Sequence, residues 1–253
     1  KAADPDCVIL SAALAPTLEQ GPNNLNDLAY LQAMYDAGAQ GSFDIMGVMA
    51  YGLWTGPNDQ RVDSQRTNFA RPQLIRALMV KNGDAEKPIW AMEIGWNAMP
   101  ADLEAAPMFG RVSREMQADF AAQAYQRALQ DWPWMGTLNY WFFKRATDTE
   151  KEQPFYYFSL LEPDFSAWPA YDALKQYAAG ARAVYPGYHQ GDHWALDYEG
   201  DWRQVSDAAA VLGGYRHGAQ GARLRFDLWG SDLFLVTLGT ADPATLRITI
   251  DGR

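Results

Sequence analysis

The chain has 253 residues, enough for a large core and one or two domains. Hydrophobic residues make up 48% and charged residues 21%, an ordinary globular composition, and a net charge of −10 without any basic run excludes the electrostatic footprint of nucleic-acid binding. No apolar run reaches the roughly 18–20 residues of a membrane span, and a single cysteine, Cys7, excludes an intrachain disulfide framework.

In chain order, Cys7 to Leu14 reads as a buried strand with Cys7 as a structural thiol. Leu25, Leu28, Leu31 and Tyr35 follow at helical spacing, and Gly38 suits the helix end. Phe43 to Tyr51 is a second strand. The helix after it carries Leu74, Ile75, Leu78 and Met79, with Pro72 near its start and Asn82-Gly83 at its end. Pro88 to Ile94 is a third strand. Ser113 is a helix N-cap, ahead of Met116, Phe120, Ala124 and Ala128 on one face. Gly136 to Phe143 is a fourth strand, and Trp168 to Ala179 a fourth helix with Tyr171, Leu174 and Ala178 inward. Four strands alternating with four helices predict a parallel sheet flanked by helices, and strands that are apolar throughout predict cover on both faces. The loops after strands two, three and four are long, as functional loops often are.

The character changes near residue 183. Tyr185-Pro186-Gly187 reads as a linker or turn. Leu224, Phe226 and Leu228 then alternate with Arg223, Arg225 and Asp227, and Leu246, Ile248 and Ile250 alternate with Arg247 and Thr249. Period two predicts half-buried antiparallel strands of a β-sandwich, punctuated by Gly213-Gly214, Gly218, Gly221 and Gly230. Residues 183–253 are read as the start of such a module, stopping inside a hairpin at Ile250-Asp251-Gly252-Arg253. His189, His193 and His217 are read as loop or surface residues, because Gly191 and the nearby Pro186 argue against a helical metal pair.

The segment Lys87-Pro88-Ile89-Trp90-Ala91-Met92-Glu93-Ile94-Gly95-Trp96 carries the chemistry. A Pro opens it, apolar residues fill it, and one carboxylate stands near its far end beside a Trp. In a parallel α/β barrel, the C-terminal strand ends hold the catalytic groups. A lone acid there beside an aromatic platform has the form of a glycosidase nucleophile; the bland alternative is a surface Glu at a strand end. Ten Trp and thirteen Tyr fit sugar stacking as well as a well-packed core.

With these segments in view, residues 1–182 resemble the C-terminal half, strands five to eight, of the (β/α)8 TIM barrel of a retaining clan A glycoside hydrolase, family 39-like or family 5-like. Lys1 to Ile9 is similar to the helix end and fifth strand, and Phe43 to Gly52 to the sixth. Pro88 to Trp96 is similar to the seventh, which carries the nucleophile in this clan, and Leu138 to Phe143 to the eighth. Phe158 to Ala173 resembles the segment leading into the last helix. Tyr198 to Trp202, Gly221 to Phe226 and Gly230 resemble appended jelly-roll modules of secreted bacterial proteins.

The resemblance implies that Glu93 is the nucleophile, that Tyr51 hydrogen-bonds and orients it, and that Trp141 floors the subsite of the sugar being cut. Trp96 and Trp54 would be further sugar platforms. Each has a packing alternative. The clan's acid/base, an Asn-Glu at the end of the fourth strand, has no counterpart here. The chain is therefore read as a fragment of a longer enzyme, its partner being the missing N-terminal half of the barrel. No cofactor or metal is expected. Secretion to the extracellular space or cell surface follows from the substrate type and the appended module. Asp44 is read as structural. Asp148, Glu150 and Glu152, with Lys144, Arg145 and Lys151, are read as a solvated loop or a substrate rim, and Arg61, Arg66 and Arg71 are equally open. Two other functions stay in view: a non-catalytic carbohydrate-binding or surface protein on a decayed barrel, and an inverting barrel glycosidase.

Overall fold

A computed structural model describes residues 4, 6–21, 23–180, 183–184, 189–193, 195–208, 210, 213–228, 231–237 and 245–251. They belong to two compact units, Lys1–Ala181 and Arg182–Arg253. The expected turn at Tyr185-Pro186-Gly187, Gly230, and the last two residues of the expected terminal hairpin lie outside the described residues, as do residues 1–3 and 5 of the first resembling segment.

The first unit is mixed α/β. Helix α1 (Asp27–Asp36) begins where Asn26 Oδ1 accepts from the Leu28 and Ala29 amides, at 3.0 and 3.4 Å. It ends at Ala37, before Gly38 in the left-handed region. Strand β1 (Met46–Tyr51) leads into α2 (Pro72–Lys81), which has Pro in its first turn. Asn82 closes α2 by donating Nδ2 to the Leu78 carbonyl at 2.9 Å. Strand β2 (Ile89–Gly95) leads into α3 (Arg114–Asp131), whose cap Ser113 Oγ accepts from the Met116 amide at 3.1 Å. Strand β3 (Met135–Tyr140) and α4 (Pro169–Ala178) complete the series.

The three strands form one parallel sheet in the order β1-β2-β3. Met46, Val48, Ala50, Ile89, Ala91 and Ile94 share one face and are buried. Leu31 and Tyr35 of α1, Ile75 and Met79 of α2, and Ala124 and Ala128 of α3 join them in one core. Burying such side chains contributes about 1.5–3 kcal/mol each for the larger aliphatics. The opposite face, carrying Met49, Tyr51 and Glu93, is half-buried.

A register shift decides which face Glu93 joins. Val48 pairs with Ala91 and Met49 with Glu93, so β2 has one residue more than β1 at this point. On the other side Ala91 pairs with Leu138 and Ile94 with Tyr140, which again leaves one extra residue in β2. In a regular strand, Ala91 and Glu93 would share a face. The bulge at Met92–Glu93 instead turns Glu93 away from the helices and onto the face of Met49 and Tyr51.

The sequence predicted that the first strand, buried, would run from Cys7 to Leu14; the structure differs. This segment pairs alongside β1 in isolated parallel bridges, Leu10 to Ile45 and Leu14 to Val48, and stays half-exposed, with Val8 68% exposed. It is held by separate hydrogen bonds to the 44–47 stretch instead of a continuous ladder: Asp44 Oδ2 accepts from the Ile9 amide at 2.8 Å, and Ser11 Oγ from the Gly47 amide at 2.9 Å. The expected helix faces shift too. Met116 of α3 points to solvent while Gln117 and Arg127 are buried, and Ala170 is the buried residue of α4 while Ala178 is exposed.

The second unit consists of short paired strands. Strand β4 (Ala183–Val184) pairs in parallel with β9 (Asp227–Leu228). Strand β5 (Asp197–Glu199) pairs antiparallel with β8 (Arg223–Arg225), and β6 (Trp202–Ser206) with β7 (Gly214–Gly218). The expected two-sheet sandwich is not seen among the described residues. Leu246, Ile248 and Ile250 are in no strand and are well exposed, so the predicted inward face packs on no sheet among the described residues. Among the described residues no helix is long and apolar enough to cross a membrane.

Candidate active site

The half-buried face of the parallel sheet brings Glu93, Tyr51 and Trp141 together at its C-terminal edge. Tyr51 is the last residue of β1, Glu93 lies in the bulge of β2, and Trp141 directly follows β3. Tyr51 Oη donates to Glu93 Oε2 at 2.5 Å. A charge-assisted O–H···O bond of this length is among the stronger kinds in proteins. Burial, followed by the hydrogen bond to Glu93 and its charge, pushes the Tyr51 phenol far above its ordinary range. Tyr51 is therefore a fixed donor at neutral pH, and its proton points at the carboxylate.

Aromatic rings hold this pair in place. Trp141 lies edge-on to Tyr51 at 6.1 Å, and Phe158 touches both rings, at 5.5 Å from Tyr51 and 5.4 Å from Trp141. The Trp141 amide donates to the Ile94 carbonyl at 2.8 Å, and the Trp141–Phe142 peptide is cis. Gly95 is needed for this packing: a Cβ there would stand 3.0 Å from the Trp141 carbonyl oxygen and 3.1 Å from the Phe158 ring. Sequence reasoning missed Phe158, which lies in a short 3-10 turn (Pro154–Phe158) reached only after the long loop following β3.

Trp96 is a correction. Its ring is 0% exposed, 5.6 Å from both Phe69 and Phe120, and its Nε1 donates to the Thr55 carbonyl at 2.7 Å. A Cβ on Gly52 would fall 2.0 Å from that nitrogen, so the loop after β1 sits directly on the indole. The ring has no open face for a sugar; it supports the loop. Trp54, on the same loop, is 61% exposed. It follows Leu53, whose φ of 55° is the left-handed conformation that non-glycine residues seldom adopt.

Two buried arginines anchor that loop. Arg71 forks onto Asp27, with Nη2 to Oδ1 at 2.5 Å and Nε to Oδ2 at 2.8 Å, and its Nη1 donates to the Arg66 carbonyl at 2.7 Å. Arg127 of α3 donates to the carbonyls of Pro57 and Asp59 and to Gln60 Oε1. Arg71 is therefore structural, while Arg61 is an exposed partner of Asp59. In the loop after β3, Arg145 lies 5.9 Å from the Trp141 ring centre and pairs with Glu150 at 3.2 Å, and Lys151 pairs with Asp148.

The arrangement is a carboxylate held by a phenol, beside an indole, on the C-terminal edge of a parallel sheet. It can present an oriented anionic oxygen to an electrophilic carbon.

No protein-family model and no curated protein matches this sequence. Solved structures with similarity to it are glycoside hydrolases, and the likeness is partial. One is a family 39 glycoside hydrolase from the gut symbiont Bacteroides cellulosilyticus, with 17% identity, TM-score 0.48 and 79% of this chain covered. Another is GH5_18 from Bifidobacterium longum subsp. longum, solved with Manβ1-4GlcNAc, with 13% identity, TM-score 0.38 and 58% covered. A third is the β-glucuronidase of Faecalibacterium prausnitzii, with 18% identity, TM-score 0.37 and 68% covered. The aligned region spans 46% of the first of these chains and 32% of each of the other two.

Proposed function

We propose that this chain is the nucleophile-bearing part of a retaining glycoside hydrolase, the second half of a (β/α)8 barrel. The observation that carries the reading is the 2.5 Å hydrogen bond from Tyr51 to Glu93 on adjacent strand ends, beside Trp141. Retention requires an ionised carboxylate that attacks the anomeric carbon and a second carboxyl about 5–5.5 Å away that protonates the leaving oxygen and later activates water. Glu93 takes the first role. With Oε2 held by Tyr51, Oε1 is the attacking oxygen: the Oε1–C1 bond forms, the glycosidic C1–O bond breaks, and the acid's proton leaves with the alcohol. Water then attacks C1 and frees Glu93. The acid/base carboxyl is assigned to polypeptide outside this chain, as the family resemblance implies.

Trp141 offers its ring to the sugar at the cleaved position, and Trp54 is a more distant platform. The substrate is a poly- or oligosaccharide, and the location is extracellular or at the cell surface.

The test is mass-spectrometric labelling of the folded chain with 2-fluoro glycosides bearing good leaving groups, which need little general-acid help. An adduct on the peptide containing Glu93, absent in Glu93→Gln, is the expected result. No adduct across a panel of sugars, on the chain and on any longer polypeptide that contains it, would overturn the retaining assignment. It would favour a carbohydrate-binding or inverting protein.

A further inference from the structure

Gln117 lies one turn into α3 and is 0% exposed. The rest of the buried face of that helix is largely alanine: Ala118, Ala121, Ala124 and Ala128. A buried carboxamide among methyl groups is costly unless its polar atoms are engaged. Gln117 Nε2 donates to two backbone carbonyls, that of Trp96 at 2.7 Å and that of Tyr157 at 2.9 Å. Neither carbonyl belongs to a strand or an α-helix, so neither has a regular ladder or helical partner. The Tyr157 carbonyl also accepts from the Ala98 amide at 3.0 Å, which closes the junction. The Gln117 side chain also lowers the phenol of Tyr140 against the rise that burial imposes, although neither Gln117 Oε1 nor Tyr140 Oη has a hydrogen-bond partner among the described residues.

Each segment that Gln117 touches leads to a residue of the site. Trp96 follows Glu93 by three residues. Tyr157 precedes Phe158, whose ring packs on Tyr51 and Trp141. Tyr140 ends β3 and precedes Trp141. We infer that Gln117 is a positioning residue: it ties the exit of β2 to the Phe158 segment and the end of β3, and so sets the geometry in which Tyr51 meets Glu93. The inference rests on the reading of Glu93 as the reactive carboxylate, but its test does not depend on turnover.

Protein carrying 13C-labelled glutamate gives a Glu93 side-chain carboxyl resonance, identified by its loss in Glu93→Gln. Its chemical shift at neutral pH reports the contact with Tyr51, because a hydrogen bond to a carboxylate oxygen changes the environment of the carboxyl carbon. Gln117→Leu should move that resonance by more than its line width. The control is Ala128→Gly, farther along the same helix, which lowers thermal stability but touches neither loop. It should leave the Glu93 resonance where it is in the parent. Gln117→Met is read the same way if the leucine variant fails to give native near-ultraviolet circular dichroism. No shift in the Gln117 variants, or an equal shift in the control, would overturn the inference. Failure of the glycosidase reading would appear separately, as absence of covalent labelling.

Discussion

A carboxylate performs nucleophilic work only if something fixes its direction and keeps competing contacts away. At Glu93 a single phenol does the fixing. Tyr51→Phe keeps the ring contacts with Trp141 and Phe158 and deletes one hydrogen bond. Hydrogen bonds to charged groups contribute about 1.5–3 kcal/mol. On the proposed mechanism, turnover of activated glycosides should therefore fall about 10–100-fold with little loss of thermal stability; unchanged kinetics would make Tyr51 a packing residue. The strand and its acid are legible in the sequence because Pro88, the apolar run and Glu93 follow one another within a few residues. The fate of Trp96 is not. Nothing local separates an indole that offers its face to a ligand from one sealed between Phe69 and Phe120, because both rings arrive from distant segments. Gln117 left a fainter sign, a glutamine among the alanines of an amphipathic helix.

Punctuation residues give the helices their ends. Pro72 and Asn82 bracket α2, and Ser113 caps α3, where the sequence places them. Strand β1 begins at Met46, later than Phe43, since the residues before it bridge irregularly to the 9–14 segment. The buried pair of Arg71 and Asp27 was not legible as such, because forty-four residues separate them. It joins the end of the loop after β1 to the start of α1, with exposures of 2% and 4%. Arg71→Ala would strand a buried carboxylate and should cost about 3–5 kcal/mol, whereas Arg71→Met with Asp27→Leu should recover most of that loss. Urea unfolding of the three proteins measures both effects. Equal stability of the single variant and the parent would show that the pair contributes nothing.

The whole molecule divides unevenly in what sequence could foresee. In the first unit, the alternation of strands and helices carries the architecture. In the second, period-two patterns at Leu224 and Leu246 look alike, yet only the former is in a strand. Pairing depends on a partner strand, which a local pattern does not supply. Stability of the first unit should also depend on alkaline pH. Tyr35, Tyr51, Tyr125, Tyr140 and Tyr156 all have phenols raised above their ordinary value of 10.0, in each case chiefly by burial. A folded-state value above the unfolded one contributes stability that is complete below about pH 10 and is lost as pH rises beyond it. Denaturant midpoints should hold steady from about pH 7 to 9 and fall at higher pH, with phenolate absorbance appearing together with unfolding. Phenolate formation in the intact fold at ordinary tyrosine values would contradict this.

The bulge in β2 makes the site sensitive to counting. Glu93 faces Tyr51 because β2 holds one residue more than either neighbour between their paired positions. Iron out the bulge by a slip of register, with Met92 kept, and every chemical group named for the site is still present. The strand would then return to strict alternation, and the carboxylate would share the face of Ala91, among the aliphatic side chains beneath the helices. An uncompensated charge there is costly. A frame-preserving loss of the Met92 codon would, by contrast, set Glu93 directly after Ala91 and leave it opposite Met49, so the alternation of this strand tolerates the deletion of that residue better than a slip that keeps it.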